Sequence, residues 1–161
     1  MLIRTAKKSD IAIINKLDRE SIKYHKKFDK DFHTVSENFW KIKKRSHKKA
    51  INNPTNLILV AELNGEVVGY IWGYIKKIMK YKIGKIQELV VTSKQRKKGI
   101  GTKLINNMLR FFKGKKCIIS EIDVFVGNLP TVEVYEKAGF IKRYHMMQIK
   151  LDKQKRFKPF S

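Results

Sequence analysis

The chain has 161 residues, of which 42% are apolar and 11% aromatic, with 9 glycines and only 3 prolines. A globular chain of this length buries roughly 70% of the surface that its unfolded form exposes, so the composition excludes a disordered protein and favours one domain with a true core. The 37 lysines and arginines against 14 acidic residues give a net charge of +23. This charge favours anionic partners such as a ribosome or RNA, but the scattered arginines form no cluster typical of nucleic-acid sites.

The sequence shows no pattern typical of export or membrane insertion. No apolar run approaches the roughly 20 residues that span a bilayer, and the amino terminus MLIRTAKKSD has no apolar stretch of the signal-peptide kind. The single cysteine, Cys117, excludes an internal disulfide and a zinc site built from cysteines. We therefore expect a cytoplasmic protein with no membrane partner.

The first half of the chain predicts a strand, two helices and three further strands. In chain order these are a strand over 2–5, a helix over 9–26, a helix that begins in 34–37 and ends before Asn52, and strands over 57–63, 67–75 and 83–92. Ser9 is a good helix N-cap, and Thr34-x-x-Glu37 is a capping-box pattern that predicts the start of the second helix. Asn64 and Gly65 favour the type I′ turn of a β-hairpin.

The second half predicts alternating helices and strands. In order these are an amphipathic helix from Gly99 to Gly114, a strand over 116–126, a helix from Pro130 to Gly139, and a last strand over 140–150. Proline suits the first turn of a helix and glycine the position after its end. The element order predicts a single mixed α/β domain over 1–151, with helices on both faces of a mixed, mostly antiparallel sheet, followed by a basic tail over 152–161.

One segment between a predicted strand and helix has the composition of a phosphate site. This glycine turn, as we call it, comprises Arg96, Lys97, Lys98, Gly99, Ile100, Gly101 and Thr102. Glycines allow close backbone approach, and the unpaired N–H groups of a helix N-terminus bind anions. The P-loop spacing fails, because Thr102 precedes Lys103. The dinucleotide fingerprint is weak, because Leu104 replaces its third glycine, and a plain turn with a solvated basic rim stays open.

The glycine turn and a downstream segment together carry a family resemblance. The sequences VVTSKQRKKGIGTKLI and ISEIDVFVGNLPTVEVYEKAGF, within about residues 86–141, resemble two motifs of the GNAT superfamily of acetyl-CoA-dependent N-acetyltransferases. The resemblance implies that the glycine turn holds the pyrophosphate of acetyl-CoA and that Leu89, Val90 and Val91 pair with its pantetheine arm. Asn128 matches a side chain that anchors this arm. The sequence departs from the family where Lys97 replaces a frequent glycine.

The same resemblance implies catalytic residues. Tyr135 matches the general acid that protonates the departing thiolate, and a phenol with a reference pKa of about 10 suits that role. The base that takes the proton of the amine is open between Glu88 and Asp123, with Glu121 as a third candidate, because strand register decides which carboxylate enters the cleft. An ion pair with a lysine is the alternative for each carboxylate.

The leading hypothesis is therefore an enzyme, an N-acetyltransferase that moves the acetyl group of acetyl-CoA directly to a primary amine, either a protein amino terminus or a small molecule. The alternatives are a nucleic-acid- or ribosome-associated binding protein with an acyl-CoA site, and a dinucleotide-dependent enzyme. We predict no metal site, because the histidines lack metal-ligand spacing and are expected to be solvated or locally bonded; they are His25, His33, His47 and His145. A monomer or a homodimer is compatible with the sequence.

Overall fold

The structure is a computed structural model that describes residues 1–28 and 36–147. The strands are β1 (Leu2–Thr5), β2 (Asn56–Leu63), β3 (Glu66–Ile78), β4 (Tyr81–Val91) and β5 (Ile119–Glu121). The helices of the described ranges are α1 (Ile11–His25), α2 (Glu37–Ile51), α3 (Ile100–Gly114) and α4 (Leu129–Lys137), with short 3-10 turns at Lys8–Asp10 and Ser93–Gln95. None of these helices is both long and apolar enough to cross a membrane.

The five strands form one sheet in the order β1-β2-β3-β4-β5. The first four are antiparallel neighbours, and β5 pairs with β4 in parallel, because the chain returns through α3 before it re-enters the sheet. Asn64 and Gly65 both have positive φ angles, of 51° and 81°, which confirms the predicted hairpin turn between β2 and β3. The mixed, mostly antiparallel sheet predicted from the sequence is therefore confirmed.

Helices cover both faces of the sheet, as predicted. On one face α3 buries its apolar stripe, including Leu104, Met108 and Phe112, against β2, β3 and β4. On the other face α1 and α2 contribute Ile14 and Ala50 to a second apolar cluster. The α1–α2 face also carries Tyr70, whose side chain is fully buried. A functional group on β3 or β4 therefore faces one helical layer or the other.

The helix α3 lies very close to the sheet, because the strand residues that face the ring of its Phe112 are glycines. A Cβ atom at Gly84 of β4 would overlap the ring of Phe112, and one at Gly73 of β3 would lie 2.7 Å from the same ring. Any side chain there would force the helix or the ring to move. The two glycines thus set the distance between α3 and β4, the two elements that flank the glycine turn.

The strand β5 is shorter than the sequence predicts. The sequence predicts a strand over 116–126, but only Ile119–Glu121 pair with β4. The register of β4 against β3 shifts by one just beyond this pairing, which leaves Gln87 as an extra, bulged residue. Because a bulge bends its strand, β4 leaves the path that β5 would have to follow. The predicted placement of Asp123 on a strand is therefore wrong.

Two other predicted boundaries differ from the structure. The sequence predicts a strand over 140–150, but residues 140–147 form none, and all of them except the half-buried Phe140 are exposed. The rest of that prediction and the tail over 152–161 lie outside the described residues. The helix α2 is capped by Ser36, whose Oγ accepts a hydrogen bond from Phe39 N at 3.3 Å. Thr34, the predicted cap, lies outside the described residues.

Candidate active site

The sheet opens between β4 and β5. The two strands pair from Ile83 with Ile119 to Lys85 with Glu121, and the pairing stops there. Beyond the bulge at Gln87, β4 continues to Val91 while the chain after β5 forms no further strand within the described residues before α4. The segment Leu89–Val91 therefore has backbone groups along one edge that are not paired in the sheet. This is the edge to which the family resemblance assigns the pantetheine arm.

The glycine turn lies at the start of α3, as its sequence predicts. Gly99 is the N-cap of the helix and has a φ angle of 75°, a left-handed conformation that glycine adopts without strain. The first amide groups of α3 follow it and have no partner within the helix. Arg96 folds back, and its Nε donates a hydrogen bond to Val91 O at 3.1 Å. The turn thus presents free N–H groups and three cationic side chains together, which suits a pyrophosphate.

The backbone conformation of Lys97 shows how the turn forms without the glycine that is frequent in the family at this position. Its φ angle is 60°, in the left-handed region where the family frequently has glycine. Side chains other than glycine reach this region at a cost of about 1 kcal/mol or more. The loop therefore keeps a left-handed turn at this position although the glycine is lost.

A carboxylate of α1 holds the loop that leads into the glycine turn. Glu20 accepts hydrogen bonds from Ser93 N at 2.6 Å and from Thr92 Oγ1 at 3.1 Å. Burial alone would raise the pKa of Glu20, but the hydrogen bonds from Ser93 and Thr92 outweigh it and lower the pKa. The carboxylate therefore stays ionised and fastened to the loop. Sequence analysis missed Glu20, because its partners lie about 70 positions away.

An aromatic side chain of α1 connects the glycine turn to Asn128. The guanidinium of Arg96 lies 4.2 Å from the ring centre of Tyr24, at cation–π distance. The hydroxyl of Tyr24 donates a hydrogen bond to Oδ1 of Asn128 at 3.5 Å. The predicted anchor Asn128 and the predicted pyrophosphate residue Arg96 therefore both contact Tyr24 of α1.

The helix α4 carries Tyr135 into the α3 side of the core. Asn128 caps this helix and is 2% exposed, and its backbone oxygen accepts hydrogen bonds from Thr131 and Val132. Tyr135 is 4% exposed, and its ring packs edge-to-face on Phe140. Burial raises the pKa of the Tyr135 phenol, so the group keeps its proton throughout the physiological range.

Glu88 lies on the opposite, α1–α2 face of the sheet, within a group of polar side chains. The buried polar cluster, as we call it, comprises Asp18, Lys43, His47, Tyr70 and Glu88. Lys43 Nζ lies 2.7 Å from Glu88 Oε1, His47 Nε2 lies 3.5 Å from Glu88 Oε2, and the hydroxyl of Tyr70 also bonds Glu88. Burial raises the pKa of Glu88, but these partners outweigh it and lower the pKa to about 2. Glu88 is therefore an ionised carboxylate with 18% of its side chain exposed.

The other two candidate bases lie elsewhere and are paired with lysines. Asp123 is 63% exposed and forms an ion pair with Lys85 at 2.7 Å. Glu121 contacts the ammonium of Lys76 and lies 3.9 Å from that of Lys85. Asp123 and Glu121 therefore contact Lys85 and Lys76, whereas Glu88 contacts the residues of the buried polar cluster. All three carboxylates have a lysine partner, but Asp123 and Glu121 are 63% and 29% exposed against 18% for Glu88, so the geometry favours Glu88 as the most shielded of them.

The sequence did not predict a role for Asp18, whereas His47 is locally bonded, which is one of the two environments expected of the histidines. The Asp18 side chain is 1% exposed, and His47 is fully buried, with its ring nitrogens 3.3 Å from Asn15 Oδ1 and 3.5 Å from Glu88 Oε2. A signal was present for Asp18, because it continues the apolar stripe of α1 through Ile14 to Ile22. Burial, followed by the charge of Glu88, raises the pKa of Asp18 to about 6. Ligand atoms of Asp18, His47 and Glu88 lie within 4.8 Å of one another, but the ammonium of Lys43 already supplies a positive charge to both carboxylates, 3.4 Å from Asp18 Oδ1 and 2.7 Å from Glu88 Oε1.

The fold is that of solved acetyltransferases and related proteins. A mutant of the BH1408 protein from Bacillus halodurans has a TM-score of 0.83 at 20% identity, with 94% of this chain and 99% of that chain covered. Glucosamine-6-phosphate N-acetyltransferase from Arabidopsis thaliana has a TM-score of 0.64 at 22% identity, with 94% and 98% covered. The family model of the acetyltransferase (GNAT) family matches residues 11–140. The chain therefore belongs to the acetyltransferase (GNAT) family, and the predicted resemblance is confirmed.

The curated relatives match about half of this chain. An uncharacterized N-acetyltransferase of Methanocaldococcus jannaschii is 36% identical over 84 residues, which cover 50% of this chain and 37% of the relative. An N-alpha-acetyltransferase of Sulfurisphaera tokodaii is 35% identical over 92 residues, which cover 50% of this chain and 54% of the relative. The matches thus span between about a third and about half of the length of these relatives.

Proposed function

We propose that this chain transfers the acetyl group of acetyl-CoA directly to the primary amine of a protein or peptide amino terminus, with both substrates bound at once. The observation that carries the proposal is the position of the glycine turn, at the N-terminus of α3 and at the end of the β4 edge that opens beyond Gln87. A half-buried ionised carboxylate, Glu88, lies on the same stretch of β4. Acetyl-CoA is the donor that this family generally uses.

In this proposal the residues of the α3 side bind the donor. The amides of the glycine turn bind the pyrophosphate, with the positive end of α3 and the cationic side chains of Arg96, Lys97 and Lys98 as counter-charges. The unpaired edge of Leu89–Val91 hydrogen-bonds the amides of the pantetheine arm, as an added strand would. Binding along this edge directs the thioester toward the bulge and therefore toward Glu88.

Glu88 and Tyr135 then serve the two proton transfers. Glu88 accepts the proton that the amine releases as it attacks the thioester carbonyl, and Tyr135 donates its proton to the leaving thiolate. The two groups lie on opposite faces of the sheet, Glu88 beneath α2 and Tyr135 within the α3 core. This division lets the acceptor approach from the α1–α2 side while the donor occupies the α3 side.

The relatives and the charge both favour a peptide acceptor over a polyamine. The matched relatives of Sulfurisphaera tokodaii and Sulfolobus acidocaldarius are N-alpha-acetyltransferases. A polycation such as spermidine approaches a +23 chain against long-range repulsion, which lowers its encounter rate. A neutral or acidic peptide terminus experiences no such barrier.

A comparison of acceptors tests this choice. We expect kcat/KM for the best of a panel of amino-terminal peptides to exceed that for spermidine by about tenfold or more, with a larger margin at low salt, where repulsion is least screened. Thiol release from acetyl-CoA is the measurement, at low and at physiological salt. A higher value for spermidine than for every peptide at both salts would contradict the peptide acceptor.

A single substitution tests the donor site. We expect Gly101→Glu to weaken acetyl-CoA binding by about 2 kcal/mol, or about 30-fold, because it puts a negative side chain against the pyrophosphate. Gly101→Ala is the matched control, since its Cβ would meet only Leu89 Cδ2, at an ordinary contact distance of 3.7 Å. Calorimetry measures both affinities. Unchanged affinity in a folded Gly101→Glu variant would mean that acetyl-CoA binds elsewhere.

A further inference from the structure

We propose that Asp18 is the final acceptor of the proton released by the amine, and that Glu88 and Tyr70 relay the proton to it. The inference rests on the proposed acetyl transfer and adds the destination of the proton. It assigns a function to the buried polar cluster, which the glycine turn and Tyr135 do not involve. Asp18 touches no substrate, so it acts through the two residues of the relay.

The bonding of Tyr70 is the first observation. Its hydroxyl bonds both Asp18 Oδ1 and Glu88 Oε2. A phenol has one proton to donate, and an ionised carboxylate can only accept. One of the two bonds therefore requires a proton on a carboxyl group. The three groups form a chain of oxygens along which a proton can be passed, with either carboxyl as its end.

The direction of the relay follows from burial. Glu88 has 18% of its side chain exposed and lies on the strand that leads to the open edge, whereas Asp18 has 1% exposed. Asp18 Oδ2 is buried without a hydrogen-bond partner among the described residues. Solvent and substrate therefore reach Glu88 first. The pKa of Asp18, raised to about 6 by burial, against about 2 for Glu88, also favours a proton that settles on Asp18.

Each element packed around the cluster supplies a charged or titratable group. The helix α1 supplies Asp18, α2 supplies Lys43 and His47, β3 supplies Tyr70, and β4 supplies Glu88. Lys43 Nζ lies 2.7 Å from Glu88 Oε1 and 3.4 Å from Asp18 Oδ1, so one ammonium serves both carboxylates. Before the amine releases its proton both carboxylates are ionised, Tyr70 donates to only one of them, and this positive charge stabilises the pair. It also remains beside Glu88 when Asp18 has taken the proton.

The transfer balances without another reactant. The N–H bond of the attacking amine breaks as an O–H bond forms on Glu88. Glu88 then passes a proton to the oxygen of Tyr70, whose own proton forms the new O–H bond on Asp18. Glu88 and Tyr70 end as they began, the amide product is neutral, and Asp18 has become a carboxylic acid. After the products leave, the proton returns to water through Tyr70 and Glu88, and Tyr135, which gave its proton to the leaving thiolate, takes one back from water.

The pH dependence of the reaction tests the relay. In the wild type we expect kcat to rise with pH through an apparent pKa near 6, because Asp18 must be ionised to receive a proton. Asp18→Asn, which cannot accept a proton, should lower kcat by about tenfold and remove this limb while acetyl-CoA affinity stays unchanged. Asp10→Asn is the matched control, because Asp10 is 7% exposed but pairs with Arg4 instead. It should alter stability and leave the pH profile intact.

A second measurement does not require turnover. Carbon-13 NMR of labelled aspartate carboxyls should show one group that titrates near pH 6, that is missing in Asp18→Asn and that shifts in Tyr70→Phe. An Asp18 carboxyl with an ordinary aspartate titration overturns the relay. If Asp18→Asn still acetylates peptides and keeps the pH limb of the wild type, the relay is overturned while the proposed function stands. The expected titration with no amine acetylated refutes the proposed function and the relay with it.

Discussion

Glu88→Gln is expected to lower kcat by about 100-fold or more, whereas Asp123→Asn should leave kcat within about twofold of the wild type. Both substitutions remove a carboxylate and keep its shape, so they form a matched pair. Glu88 is the carboxylate within the buried polar cluster, and Asp123 is a mostly exposed partner of Lys85. A proton acceptor must be positioned and shielded from competing water, and of these two carboxylates Glu88 is the more shielded, at 18% against 63% exposed.

The measurement is steady-state acetyl transfer at saturating acetyl-CoA, with circular dichroism to show that both variants fold. The side-chain amide introduced by Glu88→Gln can still accept a hydrogen bond from Tyr70, so the effect on the fold should be small. Equal losses in the two variants, or a larger loss in Asp123→Asn, would exclude Glu88 as the base. The dissociation constant for acetyl-CoA should not change in either variant, because neither side chain lies in the glycine turn.

Tyr135→Phe is expected to lower kcat by about 100-fold while the affinity for acetyl-CoA stays nearly constant, because the substitution removes only a proton donor. Phenylalanine preserves the ring that packs on Phe140, so the core should tolerate the change. Burial raises the pKa of the phenol, so the proton stays in place until the negative charge of the leaving thiolate develops beside it.

Tyr144→Phe is the control for this prediction, since Tyr144 is 72% exposed on the chain that follows α4. The values to compare are kcat from thiol release and the dissociation constant from calorimetry. A wild-type kcat in Tyr135→Phe would remove Tyr135 from the mechanism. A loss of affinity with kcat intact would instead make Tyr135 a binding residue.

The elements with strong local patterns could be predicted from the sequence. The apolar spacing of α3 and the glycine at its start indicated both the helix and the turn, and Asn64-Gly65 indicated the hairpin. The length of β5 could not be predicted, because it depends on whether β4 remains alongside. The sequence predicts a strand over 116–126, but among the described residues only Ile119–Glu121 pair with a neighbouring strand.

The residues of the candidate site also divide into those that could be predicted from the sequence and those that could not. Glu88 and Asp123 are equivalent as sequence, since each is a carboxylate among apolar strand residues, and only the bulge and the helices packed on the sheet distinguish them. Asp18 and His47 come from two helices and meet β3 and β4 across gaps of 52 and 41 positions in the chain. Such contacts depend on tertiary packing, so local patterns contain only a weak trace of them, the polar residue within the apolar stripe of α1.

The bulge at Gln87 makes the site far more sensitive to the length of β4 than to its composition. Lys85 and Glu88 are three positions apart, yet they pair with Tyr74 and Trp72, which point to one face of the sheet. In an uninterrupted strand, positions an odd number apart point to opposite faces. Deletion of Gln87 would therefore move the side chain of either Glu88 or Lys85 to the opposite face of the sheet. Most replacements of the exposed Gln87 side chain would leave the alternation of faces intact. Under the proposed mechanism, relatives in which this strand has gained or lost one residue would need to supply their base from another position.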